Sequence, residues 1–96
     1  MKKRYCIIPE EVMANNKLSS GTKCFYGLLT SVCDEDMACR KTNQFYADVY
    51  GVATYTVTKW INELTEHGYV ISTGLGNKRE IHILNQEKMK KLIFGR

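Results

Sequence analysis

The stretch from Thr42 to Val70 constrains this chain most. Thr42 has the side chain of a helix N-cap, Ala47 is small at mid-helix, and Gly51 stands where a first helix must end. Val52 follows as a turn anchor. A second helix is expected from about Thr54 to His67, because Val57, Trp60, Ile61 and Leu64 fall on one helical face. Gly68 closes it, and Tyr69-Val70-Ile71 opens a strand. Two short helices about a glycine turn form a helix-turn-helix pattern. Its second helix stands proud of the domain, in a shape that fits the major groove of DNA.

Ninety-six residues make one small domain with room for one core. The formal net charge of +4 permits a nucleic-acid partner without requiring one, so the placement of charge matters more. Lys2, Lys3 and Arg4 form a basic start; Lys88, Lys90, Lys91 and Arg96 form a basic end. Lys78 and Arg79 lie at a glycine-flanked hairpin tip, whereas Asp34, Glu35 and Asp36 form an acidic loop. That distribution predicts one face that avoids phosphate and another that can meet it. For the two termini, a merely solvated surface is the competing reading.

No apolar run approaches the roughly 18–20 residues of a membrane span. The charged opening, with its short apolar run to Pro9, is no signal peptide. A cytoplasmic protein with no membrane partner is therefore expected. Cys6, Cys24, Cys33 and Cys39 should then be reduced, mostly in the core. They include no Cys-x-x-Cys pair, and His67 and His82 are far apart in sequence. The acidic loop lacks the glycine and distal glutamate of a calcium loop. No metal and no cofactor are expected. No nucleophile–base pair or phosphate-cradling loop stands out either, so the chain is expected not to be an enzyme.

Elsewhere the pattern is mainly helical, without linkers or repeats. Tyr5 to Ile8 is β-prone, and Pro9 suits the first turn of a short helix through about Ala14. Ser19 or Ser20 caps the next helix, whose apolar face carries Phe25, Leu28, Leu29 and Val32. Gly21 and Gly27 each weaken that helix by about 1 kcal/mol relative to alanine, and Gly27 suggests a close-packed neighbour. Met37 to Arg40 suits a one-bridge strand. In the helix from Thr42 to Tyr50, Tyr46, Ala47 and Tyr50 should face inward, while Phe45 and Val49 form a second apolar pair. Strands from Tyr69 to Thr73 and from Arg79 to Leu84 are joined by Gly74-Leu75-Gly76-Asn77-Lys78. Asn85 stands as cap of a last helix from Gln86 to Phe94, with Met89, Leu92 and Ile93 on one face.

A hairpin placed after a reading helix is a wing. The expected fold is therefore mainly α with a small β-hairpin: a winged helix-turn-helix with a three-helix core plus wing. One domain spans residues 1–96, with its core in 5–84 and a C-terminal helix or tail in 85–96. Thr54, Tyr55, Thr58, Lys59 and Asn62 fall opposite the apolar face of the second helix and are the candidate base and phosphate contacts. Thr42, Asn43 and Gln44 lie at a helix N-terminus, which favours phosphate. Lys78 and Arg79 are the candidate wing contacts. The competing readings are surface threonines at Thr54 and Thr58 and a packing role for Tyr55. Trp60 belongs to the apolar face and reads as core.

The run Leu18-Ser19-Ser20-Gly21-Thr22-Lys23-Cys24-Phe25-Tyr26-Gly27-Leu28-Leu29 resembles the opening helix of a bacterial winged-helix family. Its members include the N-terminal domains of plasmid and phage replication initiators and small mobile-element helix-turn-helix proteins. Tyr5 to Val12, with its Ile8-Pro9 step, is similar to the family's lead-in. Thr42 to Tyr69 is similar to its second half, keeping Gly51-Val52, Val57, Leu64 and Gly68. The resemblance covers about residues 5 to 84. It implies a DNA-binding winged helix, often dimeric, in which Thr42, Asn43, Thr54, Tyr55, Thr58 and Lys59 match the DNA-facing positions. The chain departs from the pattern at Ala53, where a cap is usual, and at Tyr46 and Tyr50, where aliphatics are common. The further domain by which replication initiators recruit their machinery has no room in 96 residues, so a stand-alone or accessory role is expected.

The expected function is sequence-specific binding of double-stranded DNA, as a transcriptional regulator or replication-control factor of a plasmid, phage or mobile element. A homodimer is a candidate assembly, built on the N-terminal segment and the C-terminal helix. The alternative is a non-enzymatic module that binds a protein partner through the same scaffold. The single cation on the reading helix, Lys59, and the surplus aromatics Phe45 and Tyr55 favour that alternative.

Overall fold

The computed structural model of the chain describes residues 5–75 and 78–95. The basic start at Lys2, Lys3 and Arg4, the loop residues Gly76 and Asn77, and Arg96 lie outside them. Five helices and three short strands follow in the order α1 (Glu10–Met13), α2 (Ser20–Val32), β1 (Ala38–Cys39), α3 (Asn43–Tyr50), α4 (Thr54–Glu66), β2 (Val70–Thr73), β3 (Glu80–Ile83) and α5 (Gln86–Phe94). The domain is mainly α, with a small antiparallel sheet in the order β1-β3-β2.

Local chemistry places most boundaries. Ser19 caps α2 by accepting the Thr22 N–H, and Thr42 caps α3 by accepting the Phe45 N–H at 3.1 Å. Gly51 takes the left-handed conformation, and the Val52 N–H returns to the Ala47 carbonyl at 3.0 Å. This is a Schellman closure, and glycine enters it without a Cβ penalty. Gly68 ends α4 in the same way, with the Tyr69 N–H returning to Leu64. Ala53 gives α4 no side-chain cap. Asn85 precedes α5 in the left-handed region and offers no side-chain cap, contrary to the role its residue type suggests.

One core unites the elements. Helix α2 runs through it with Phe25, Tyr26 and Leu29 buried, and Tyr46 of α3 and Val57 and Leu64 of α4 close over it. Ile81 and Ile83 of β3 and Val70 of β2 line the sheet side. Met89 of α5 is buried in the same core, and Lys88 pairs with Glu11 of α1 at 2.8 Å, so the C-terminal helix belongs to the packed domain. Hydrogen bonding to Lys88 holds the Glu11 carboxyl below the usual carboxylate range.

Two further expectations are corrected. Tyr5 to Ile8 forms no strand. The Ile7 N–H donates instead to Thr30 Oγ1 at 2.8 Å, and the segment lies along α2 with Cys6 and Ile8 over Gly27. The cysteines divide evenly rather than gathering in the core: Cys33 and Cys39 are buried, Cys6 and Cys24 are exposed, and none of the four is in a disulfide. The thiol of Cys39 is driven above its ordinary range by its hydrogen bond with Cys33 and by burial.

Gly21 is where a Cβ would collide with a side chain of another helix. A Cβ there would stand 2.8 Å from the Trp60 ring. Trp60 packs between Phe25, tilted at a ring-centroid distance of 5.6 Å, and Tyr50, edge-on at 4.9 Å. Burial lifts the Tyr50 hydroxyl to about 12, so the ring stays neutral. Helix propensity alone predicts that Gly21→Ala gains about 1 kcal/mol. Packing predicts the opposite, a loss of about 1–3 kcal/mol as Trp60 is pushed from its slot. Urea denaturation is expected to show the loss; a gain would mean that Trp60 yields freely.

Candidate nucleic-acid interface

The outer face of α4 is polar and open. Thr54, Tyr55, Thr58, Lys59 and Asn62 are all exposed, and Tyr55 is 78% exposed. The inner face, Val57, Trp60, Ile61 and Leu64, is buried. No carboxylate occurs in α4 before Glu63. Of the ten candidate residues, the five on α4 therefore share one surface, as their spacing predicts.

Glu63 fixes where that surface sits. Its Oε1 accepts the Ser19 N–H at 3.2 Å and the Thr22 hydroxyl at 3.0 Å. A carboxylate carried by α4 thereby caps the N-terminus of α2, where the helix dipole favours negative charge. Thr65 returns its hydroxyl to Ile61 within the helix. Glu63 does not stand out in the sequence. Its only signal there is a position flanking the buried stripe, one residue before Leu64.

The three residues of the α3 N-terminus are used differently from one another. The Thr42 oxygen is occupied as a cap. Gln44 donates to Asp48 one turn along at 2.8 Å and lies against its own helix. Asn43 is half-buried and points across to α4, donating through Nδ2 to Thr58 Oγ1 at 3.2 Å.

The hairpin residues also part ways. Lys78 is exposed beside the loop. Arg79 is half-buried and turned back onto the domain rather than outward from a tip. Its Nη1 donates to Asn43 Oδ1 and its Nη2 to the Lys41 carbonyl, both at 2.8 Å. Its Nε is buried with no partner among the described residues. Arg79 thus clamps the hairpin root to the start of α3, because a rigid guanidinium can bridge two acceptors at once.

Lys41 is a further cation at this surface, missed in the sequence because it precedes the cap. It is exposed, with its Nζ 5.0 Å from the Phe45 ring centroid. Lys41, Lys59 and Lys78 each neighbour a member of the Arg79–Asn43–Thr58 chain. Asp34 and Asp36 of the acidic loop, together with Glu80, pair with Arg40. Hydrogen bonding to Arg40 holds the Asp36 carboxyl below its ordinary value.

Among the described residues, no group of three or more His, Cys, Asp or Glu side chains is arranged to hold a metal ion. Nor is any helix among them long and apolar enough to cross a membrane. No protein-family model, characterised protein or solved structure matches this chain.

The Glu63 contact carries a stability prediction. Glu63→Ala leaves the Ser19 N–H and the Thr22 hydroxyl without this acceptor and is expected to cost about 1–2 kcal/mol in denaturant unfolding. The exposed Glu66→Ala control should stay within about 0.5 kcal/mol. Equal effects of the two would rule out an interhelical cap.

Proposed function

We propose that the chain is a winged-helix DNA-binding domain and that α4 is its reading helix. One observation carries this reading. The exposed face of α4 from Thr54 to Asn62 is polar, free of carboxylates, and tied by Asn43 and Arg79 to both the α3 N-terminus and the hairpin root. Hydroxyls, an amide and a lysine on a protruding helix match the donors and acceptors of a major groove. Lys41, Lys59 and Lys78 would contact phosphate. Arg79 holds the hairpin beside the helix, and Lys78 is left as the outward hairpin cation. The role this supports is sequence-specific binding of duplex DNA, as a transcriptional or replication-control factor of a plasmid, phage or mobile element. A homodimer would double the base pairs read.

A second reading has its own support. Tyr55 on α4 and Val49 on α3, the latter 53% exposed, present apolar area to solvent, as a site for a protein partner would.

Salt separates the two. Fluorescence anisotropy on random duplex DNA should show binding that weakens steeply between low and near-physiological salt, through counterion release. Lys59→Ala and Lys78→Ala should each lower affinity on every sequence. Each should also flatten the log–log salt slope by about 0.9 for every phosphate no longer neutralised. Absence of binding at low salt would overturn the DNA reading and favour a protein partner. Binding with an unchanged slope in both variants would move the DNA-facing surface away from α4 and the hairpin.

A further inference from the structure

Resting on the DNA-binding reading above, we infer that Thr58 meets a base as a hydrogen-bond acceptor with a methyl group beside it, and that Arg79 sets this polarity through Asn43. The chain begins with a group that has no choice. A guanidinium carries only donors. Arg79 Nη1 lies 2.8 Å from the Asn43 side chain, so Asn43 must turn its carbonyl oxygen toward it. The Asn43 amide nitrogen then faces Thr58 at 3.2 Å, and it too can only donate. Thr58 Oγ1 must therefore accept, and its own hydrogen goes to the Thr54 carbonyl at 3.3 Å. One lone pair remains for a ligand, because a hydroxyl has one hydrogen and two lone pairs.

An isolated threonine on a helix surface rotates its hydroxyl to suit either a donor or an acceptor. Here that freedom is removed before DNA arrives. The consequence for recognition is specific. Adenine N6 and cytosine N4 offer hydrogens to the remaining lone pair, and the thymine methyl packs against the threonine methyl. Guanine presents only the acceptors O6 and N7 in the major groove. Guanine is thus disfavoured on the strand that faces Thr58. Asn43 has its carbonyl and its amide each engaged by protein, and it acts as a positioning residue rather than a base contact.

Selection of binding sites by the full chain from a random duplex pool tests this. The wild type should show one position at which guanine is depleted by about three- to tenfold, the range of one net hydrogen bond. In Asn43→Ala nothing donates to Thr58 Oγ1, and only the long 3.3 Å contact to the Thr54 carbonyl competes for its hydrogen. The hydroxyl can then turn toward an acceptor, so guanine should return at that position while the others keep their preferences. Thr58→Val keeps the methyl and removes the acceptor. It should retain thymine and lose the gain from adenine and cytosine at the same position. A purely structural role for Asn43 would instead lower affinity evenly and leave that preference standing, which would overturn the inference. So would a wild-type site with no guanine-depleted position. Thr58 is exposed, so Thr58→Val keeps the test decisive even if Asn43→Ala fails to fold. Failure of the wild type to bind any duplex would overturn the DNA reading itself, whereas binding with an unmoved preference overturns only the role of Thr58.

Discussion

The fit of Trp60 against Gly21 is the contact on which the rest of the architecture depends. An indole ring reaches the α2 backbone only because no Cβ stands in the way. The ring then packs against Phe25 and, edge-on, against Tyr50, and Phe25 meets Tyr46 edge-on at 5.1 Å. Three helices are thereby locked by one aromatic cluster. Glu63, one turn further along α4, adds a polar contact to the α2 N-terminus. The carboxylate fixes the register of α4 on α2, because its oxygen must sit over the Ser19 N–H and the Thr22 hydroxyl.

With α4 fixed from behind, its outer face is organised from the side. Arg79 reaches from the hairpin root to Asn43 and Lys41, and Asn43 reaches to Thr58. Two elements distant in sequence thus meet through one side chain at the start of α3. The electrostatic layout is consistent with this division. Arg40 gathers Asp34, Asp36 and Glu80, while the first turns of α4 carry no acid.

Much of this was legible in the sequence because it is written locally. The caps at Ser19 and Thr42, the glycine turn at Gly51, and the stripe of Val57, Trp60, Ile61 and Leu64 are read by spacing and residue type. The bounds of α5 also follow from its apolar spacing. The misses share a cause: they depend on neighbours remote in the chain. Tyr5 to Ile8 has strand-forming residues, but α2 offers it a glycine groove and a threonine hydroxyl in place of a strand edge. Cys6 is exposed in that segment, and Cys24 is exposed on α2. Arg79 looked like a hairpin-tip cation because no sequence pattern shows that Asn43 and the Lys41 carbonyl converge on it. Among the site residues, the α4 face was visible as a periodicity. The clamp behind it was not, since it joins residues 36 positions apart.

The most direct test of the central claim maps the surface rather than the affinity. Backbone amide chemical shifts of the isotopically labelled chain, followed while short duplex DNA is added, report each residue separately. The account predicts the largest changes at Lys41 to Asn43, at Thr54 to Asn62 and at Lys78, with α5 and the Asp34–Asp36 loop unmoved. Changes centred on α5, or confined to the acidic loop, would contradict it.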